Sequence, residues 1–415
     1  MTDQQVNRLA AASAALATAT ADAAGQIASL RSDVPSFIVM DVMRAALEAE
    51  NAGRHIIHME VGQPGTPAPR VARDVAARSL QNDTLGYTMA LGNDALRARI
   101  ARHYADQHGL NVAPERIAVT AGSSAAFVLT FLSLFDAGDT VALPSPGYPC
   151  YRHILSALGQ RSVLLETGPS NDWMPDPDDV LRAIKRDGIK GLLIASPANP
   201  TGTMISRERL CALTDVCQQH GVRFISDEIY HGLTYTRPAD TALACSDDTI
   251  VINSFSKYFS MTGWRIGWMV VPQRLIRAVE RLTQNLYISP PSIAQAAALG
   301  AFDAREELEA NRDVYAANRE LLLAELPKAG FTQFAPADGA FYLYCNVGSF
   351  LRDAGPLDAA ALARTLLDEA GVALTPGNDF DAQRGGQFLR FSYAGTTADM
   401  AEAARRLQVW AGDRA

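Results

Sequence analysis

The chain has 415 residues, 48% hydrophobic and 20% charged, with a formal net charge of −8. That length supports a large core in two domains, or in one large domain with a smaller companion. An acidic balance without a basic run gives no footprint for nucleic acid or for an anionic membrane surface. No apolar stretch approaches the roughly 18 residues needed to cross a bilayer. Five cysteines (Cys150, Cys211, Cys217, Cys245, Cys345) form no CxxC pair and are odd in number. Neither a disulfide framework nor a zinc site is expected, and a reducing, cytoplasmic compartment is.

Residues 1–32 read as an arm. The run "LAAASAALATATADAAG" (Leu9 to Gly25) has Ala and Thr where an export leader needs Leu, Val or Phe, so a short helix or frayed arm is expected there. "HIIH" (His55 to His58) has metal-like spacing, but alternate side chains of a strand face opposite ways, and no metal is expected. "AGSSAAFVLTFLSLF" begins a long apolar helix directly after Gly122, Ser123 and Ser124, where free amides, hydroxyls and the helix dipole converge on one anion.

Four short apolar runs end in polar residues: "DTVALPSP" (Asp139 to Pro146), "IKGLLIASP" (Ile189 to Pro197), "VRFISDE" (Val222 to Glu228) and "TIVINSFSK" (Thr249 to Lys257). They read as buried parallel strands. "SRERLCALTDVCQQHG" lies between two of them and predicts a helix capped by Ser206 and stopped by Gly221. From about Ala304 the pattern changes to a long charged helix, then "GAFYLYCNV", a helix around Ala359 to Ala370, and "QFLRFSYAG". The expectation is an α/β chain. Residues 70–303 form a large domain with a mostly parallel sheet flanked by helices, and 33–69 with 304–415 form a smaller α+β domain built from both chain ends.

Asn199, Asp227 and Lys257 all follow the carboxyl ends of predicted parallel strands, where open α/β sheets bind ligands. No GxGxxG or GxxxxGK[ST] occurs, so dinucleotide and P-loop nucleotide sites lack their glycines. No GxSxG elbow occurs either, which removes a serine hydrolase of that type.

Ten stretches, in order, resemble the fold-type I pyridoxal-phosphate enzymes, and within them the class I and II aminotransferases of the aspartate aminotransferase superfamily. They are "VGQP" (Val61 to Pro64), "YTMALGNDALR" (Tyr87 to Arg97), "AGSSAAF", "PSPGYPCY" (Pro144 to Tyr151), "SPANPTG" (Ser196 to Gly202), "SDEIY" (Ser226 to Tyr230), "SFSKYFSMTGWRIG" (Ser254 to Gly267), "GAFY" (Gly339 to Tyr342), "TPGNDF" (Thr375 to Phe380) and "LRFSYA" (Leu389 to Ala394). The resemblance implies pyridoxal 5′-phosphate as cofactor and transfer of an α-amino group from an L-amino acid to a 2-oxo acid, 2-oxoglutarate above all, by a ping-pong mechanism. Lys257 would form the Schiff base and carry the proton between substrate and cofactor. Asp227 would pair with the pyridinium nitrogen, and strand alternation lets only one of Asp227 and Glu228 face the ring. Asn199 and Tyr230 would donate to the ring's 3-oxygen, and Tyr148 would stack on its face. Gly122, Ser123, Ser124, Ser254, Ser256 and Arg265 would hold the phosphate. Arg390, with the Gly62 backbone and Asn199, would grip the substrate carboxylate. Tyr87 would reach the phosphate of a neighbouring subunit, making an isologous homodimer with shared sites.

Two departures from the relatives bear on function. Gln63 stands where many carry glutamate, and Gln284, in "QNLYISPPS", stands where dicarboxylate-specific relatives place a partner arginine. A broad or neutral-side-chain amino donor, such as a small aliphatic or aromatic amino acid, is therefore expected, since a charge-assisted bidentate pair is absent. Two other readings share the fold: a pyridoxal-phosphate lyase or decarboxylase using the same lysine, and a non-enzymatic regulator fused to a DNA-binding module. The regulator lacks basic residues ahead of the matched region, where only Arg8 and Arg31 occur.

Overall fold

The computed structural model describes residues 28–351 and 357–414. The arm reading and its alanine-rich run fall almost wholly outside the described residues.

All four apolar runs are strands: Thr140–Ser145, Gly191–Ala195, Arg223–Asp227 and Ile250–Ser254. Continuous burial explains why they carry no alternation, since helices cover both faces of their sheet. That sheet has seven strands, in the order Ile117–Thr120, Gly267–Val270, Ile250–Ser254, Arg223–Asp227, Gly191–Ala195, Thr140–Ser145 and Arg161–Glu166. Gly267–Val270 runs antiparallel to both its neighbours, and the other strands are mutually parallel. One apolar layer lies on each face, around Ile194, Val251 and Trp268 on one side and Leu193, Ile252 and Phe131 on the other.

The helix Arg207–Gln219 has the expected cap, with Ser206 Oγ accepting from Arg209 N–H at 3.2 Å, and Gly221 follows at φ +68°. Past Ala304 come the charged helix Arg305–Glu325, the strands Tyr342–Asn346 and Phe388–Ser392, and between them the helix Ala359–Thr365, which continues as a π turn to Ala370. Those two strands pair antiparallel in a four-stranded sheet with Gln333–Phe334 and Thr375–Pro376. Ile57–His58 pairs in parallel with Val372–Ala373, so residues near the start of the chain join the region near its end.

The cysteine expectation needs correction. Cys211 and Cys245 form a disulfide, while Cys150, Cys217 and Cys345 are free. Cys211 sits on the helix Arg207–Gln219 and Cys245 closes the 3₁₀ turn Ala242–Ala244, which Glu228 draws inward by accepting from Thr241 Oγ1 and Ala242 N–H. Pairing by tertiary approach is invisible to a search for neighbouring cysteines. Among the described residues no helix is long and apolar enough to cross a membrane, and no group of three or more His, Cys, Asp or Glu side chains is arranged to hold a metal ion.

The "HIIH" histidines make polar contacts with neighbouring charged side chains. His55 meets Arg406 at 2.7 Å, and His58 lies between Glu60 (2.8 Å) and Glu50 (3.2 Å). The hydrogen bond to Glu60 leads in raising the His58 pKa to about 9, with Glu50 adding and partial burial opposing. A raised histidine pKa stabilises the fold fully below the unfolded value of about 6.5, and that contribution is lost as pH rises through the folded value. Urea denaturation of His58→Gln beside the unaltered chain should therefore show a stability gap at about pH 6 that has closed by about pH 10. A gap that widens with pH would contradict the clamp.

Candidate active site

The strands of the seven-stranded sheet end at a cavity of about 210 Å³. Ten expected residues line it: Gly62, Ser123, Ser124, Tyr148, Asn199, Tyr230, Ser256, Lys257, Arg265 and Arg390. Gly122, Asp227 and Ser254 stand directly behind that wall. Tyr87 does not line it and is 82% exposed on the surface.

At one end the helix Ser123–Leu134 begins at Gly122 with no side chain capping it, so its first amides are free for an anion. Gly122 has φ +81°, and a Cβ there would come within 2.4 Å of Arg265 Nη2. Only glycine admits both the backbone angle and the guanidinium. Arg265 is itself left-handed at φ +50° and donates to Thr262 O at 3.0 Å, which aims it across the helix start. Ser256 lies alongside, its Oγ 2.8 Å from Ser254 Oγ and its N–H donating to the same Ser254 oxygen.

In the middle, Lys257 reaches inward and donates to Gly62 O at 2.5 Å. Burial first, then repulsion from Arg390, lowers its pKa to about 7, with Asp227 opposing the fall. A lysine so placed is neutral for part of the time near pH 7, as a nucleophilic amine must be. Asp227 is buried at the strand end, accepting from the Tyr151 hydroxyl and from Ile229 N–H. Burial raises its pKa to about 6, and the Tyr151 bond leads the opposing effects. Glu228 points to the opposite side, accepting from Ser226, Thr241 and Ala242, as strand alternation requires.

At the far end Arg390 is fully buried and lies between two rings, 4.5 Å from the centre of Tyr342 and 4.7 Å from that of Phe380. It donates to Asn199 Oδ1 at 2.9 Å, to Glu60 O and to Thr375 Oγ1. Among the described residues no carboxylate forms a salt bridge with it, which suits a guanidinium kept for an incoming anion. Tyr230 Oη is 2.7 Å from Tyr342 Oη, and a Cβ on Gly62 would meet that second hydroxyl at 2.1 Å. Over this end lie Phe37, Val39 and Met40 from the start of the helix Ile38–Asn51, with Phe37 edge-on to Tyr148 at 6.0 Å.

Sequence reasoning missed Tyr151, Tyr342, Phe380 and the Phe37–Met40 lid. Tyr151, Tyr342 and Phe380 sit inside quoted motifs, but their contacts depend on how separate strand ends meet. Phe37 and Met40 precede every motif and carry no local signal.

A model of the aminotransferase class I and II family matches residues 54–407. The chain is 46% identical over 385 residues to the valine–pyruvate aminotransferase of Mycobacterium tuberculosis, covering 92% of this chain and 97% of that protein. The crystal structure of an aminotransferase from Mycobacterium tuberculosis superposes with a TM-score of 0.90 at 45% identity, over 94% of this chain and all of that one. Aspartate aminotransferase from Thermus thermophilus with maleate superposes at 0.86 and 31% identity, over 92% and 99% of the two chains. The chain belongs to the class I and II aminotransferases, fold-type I enzymes that use pyridoxal phosphate.

The residues present fit that cofactor. An uncapped helix start with Gly122 and Arg265 suits its phosphate, a buried carboxylate suits its ring nitrogen, and a lysine of lowered pKa lies between them. Gly122→Ala should weaken cofactor binding by roughly tenfold or more if Arg265 holds the phosphate, because the new methyl would displace that guanidinium. Titrating the apo-protein with pyridoxal phosphate and following absorbance checks this. Unchanged affinity would show that Arg265 does not serve that anion.

Proposed function

We propose that this aminotransferase moves the α-amino group of a neutral L-amino acid to a 2-oxo acid, 2-oxoglutarate first among the acceptors, by a ping-pong mechanism. When bound, the cofactor supplies the electron sink that stabilises negative charge at the substrate α-carbon. Lys257 is the covalent anchor and the base that moves the proton from that carbon. Asp227, held by Tyr151, keeps the ring nitrogen protonated. Asn199 Nδ2 and the Tyr230 hydroxyl would donate to the ring oxygen, and Tyr148 would cover the ring. Ser123, Ser124, Ser256 and Arg265 bind the phosphate, with Gly122 and Ser254 shaping their positions. Arg390, with Gly62 and Asn199, orients the substrate carboxylate.

The observation that carries the donor class is the cavity's wall. Phe37, Val39, Met40 and Val61 form an apolar side, and Gln284 is exposed on the chain's surface. The relative named for valine and pyruvate supports the same class and makes pyruvate a second acceptor to test. The proposal includes the division into 33–69 with 304–415 and 70–303. It also includes a cytoplasmic setting, where free amino acids and 2-oxo acids meet.

It further includes an isologous homodimer in which Tyr87 serves the partner's site. Tyr87 (82% exposed), Met89 (69%), Leu286 (50%) and Ile288 (48%) lie on two segments that touch, with Gln295 Nε2 donating to Thr88 Oγ1 and Ser292 Oγ to Leu85 O. A connected apolar surface of that kind marks an interface.

The decisive test is a panel of amino donors and oxo acceptors on the holoenzyme. Lys257→Ala should abolish the bound cofactor's absorbance band and lower turnover by several orders of magnitude. For the unaltered enzyme, kcat/KM for alanine, valine or phenylalanine should exceed that for aspartate. A preference for aspartate above about a hundredfold would mean that another cation reads the distal carboxylate. Sedimentation at micromolar concentration should show a dimer, and a fully active monomer would remove the shared site.

A further inference from the structure

The helix Ile38–Asn51 supplies the lid over the cavity, yet its own sequence leaves its start uncapped. Phe37 occupies the cap position and has no side-chain group to offer the free amides. An uncapped helix start usually frays, because its first N–H groups have no partner within the helix. Here the partner comes from 340 residues away. Asp379 accepts from Ile38 N–H through Oδ1 and from Val39 N–H through Oδ2, each at 3.3 Å, and it is buried to 1% exposure. A carboxylate at a helix start also meets the favourable end of the dipole.

The segment that carries Asp379 touches the rest of the site at four further points. Phe380 lies under the guanidinium of Arg390. The Phe380 carbonyl accepts from Gly147 N–H at 3.0 Å, next to Tyr148, and the Asp379 carbonyl accepts from Arg152 Nη2 at 2.7 Å. Arg384, paired with Asp381, donates to Ser145 O at 2.6 Å. One short stretch therefore joins the carboxylate-binding arginine, the loop bearing the ring-covering tyrosine, and the lid.

We propose that Asp379 is the positioning residue that fixes Phe37, Val39 and Met40 over the cavity, and that this fixed lid sets the enzyme's preference for bulky apolar side chains over small ones. The inference rests on the aminotransferase reading above and deepens it. Asp379 touches neither cofactor nor reacting atoms. Its effect passes through the lid, so it falls on donors whose side chains reach Phe37 and spares alanine, whose methyl group is too short.

The test compares alanine with valine and phenylalanine as donors for the unaltered enzyme, Asp379→Asn, Phe37→Ala and the double variant, each loaded with cofactor. An asparagine presents one acceptor oxygen where the aspartate presents two, so one lid amide is released. The unaltered enzyme should prefer at least one bulky donor to alanine. For that donor kcat/KM should fall about tenfold or more in Asp379→Asn, through KM, with alanine changed by less than about threefold. Phe37→Ala should reproduce that split, and the double variant should be no worse than Phe37→Ala alone, because both act through one element.

Equal losses for all donors in Asp379→Asn, or additive losses in the double variant, would overturn the proposal in favour of a general structural role. An unchanged donor ratio in Phe37→Ala would overturn it even if Asp379→Asn did not fold, because the lid would then not select. So would an unaltered enzyme that prefers alanine. An unaltered enzyme that turns over no amino donor would sink the aminotransferase reading itself, a result distinct from all of these.

Discussion

A buried ammonium is the constraint on which this site turns. Lys257 sits just past a strand end; burial first, then Arg390 and Arg265, push its proton off while Asp227 holds it on. Were the carboxylate closer in effect than the arginines, the amine would stay charged and inert. Were it absent, a lysine enclosed among cations would find no favourable place in the fold. The balance near pH 7 combines burial with all three groups, and it needs both sheets, since Asp227 ends a strand of the seven-stranded sheet and Arg390 lies on the four-stranded one.

Keeping that arrangement open to substrate imposes a second demand. Arg390 is buried without an acidic partner, which is costly unless other groups satisfy it. The Asn199 side-chain oxygen, the Glu60 carbonyl and Thr375 Oγ1 accept from its two Nη groups and two aromatic faces cover it, without neutralising its charge, while the buried Nε has no hydrogen-bond partner among the described residues. Apart from Asn199, the residues that meet this demand come from both ends of the chain. Glu60 and Gly62 follow the strand Ile57–His58, whereas Thr375, Phe380 and Arg390 lie more than 300 positions later. The parallel pairing of Ile57 with Val372 holds those ends together, and it is a structural precondition for the site.

Strand positions and polar strand ends were legible in the sequence because continuous apolar runs can be buried on both faces only in a covered sheet. Alternation required that only one of Asp227 and Glu228 face the site, the resemblance selected Asp227, and Glu228 does face the other way. The cap of Arg207–Gln219 was legible for a local reason, since Ser206 meets an amide three residues on. Contacts made across the fold were not. Tyr151 reaches Asp227 over 76 positions, and Asp379 reaches Val39 over 340, with no periodicity or motif linking either pair. The Cys211–Cys245 disulfide escaped for the same reason, at a separation of 34. The antiparallel strand Gly267–Val270 gives a short apolar run that begins at the last residue of a motif read for its chemistry, and it went unread as a strand.

The identity of the anchoring amine can be read directly, because the chain holds only four lysines: Lys185, Lys190, Lys257 and Lys328. Three of them are exposed, and Lys257 alone faces the cavity. The most direct measurement is to reduce the pyridoxal-phosphate-loaded protein with borohydride, digest it and map the modified peptide by mass spectrometry. The account predicts a stoichiometric pyridoxyl mark on the peptide containing Lys257 and none at the other three. A mark at Lys185, Lys190 or Lys328, or a protein that binds the cofactor and takes no mark, would contradict it.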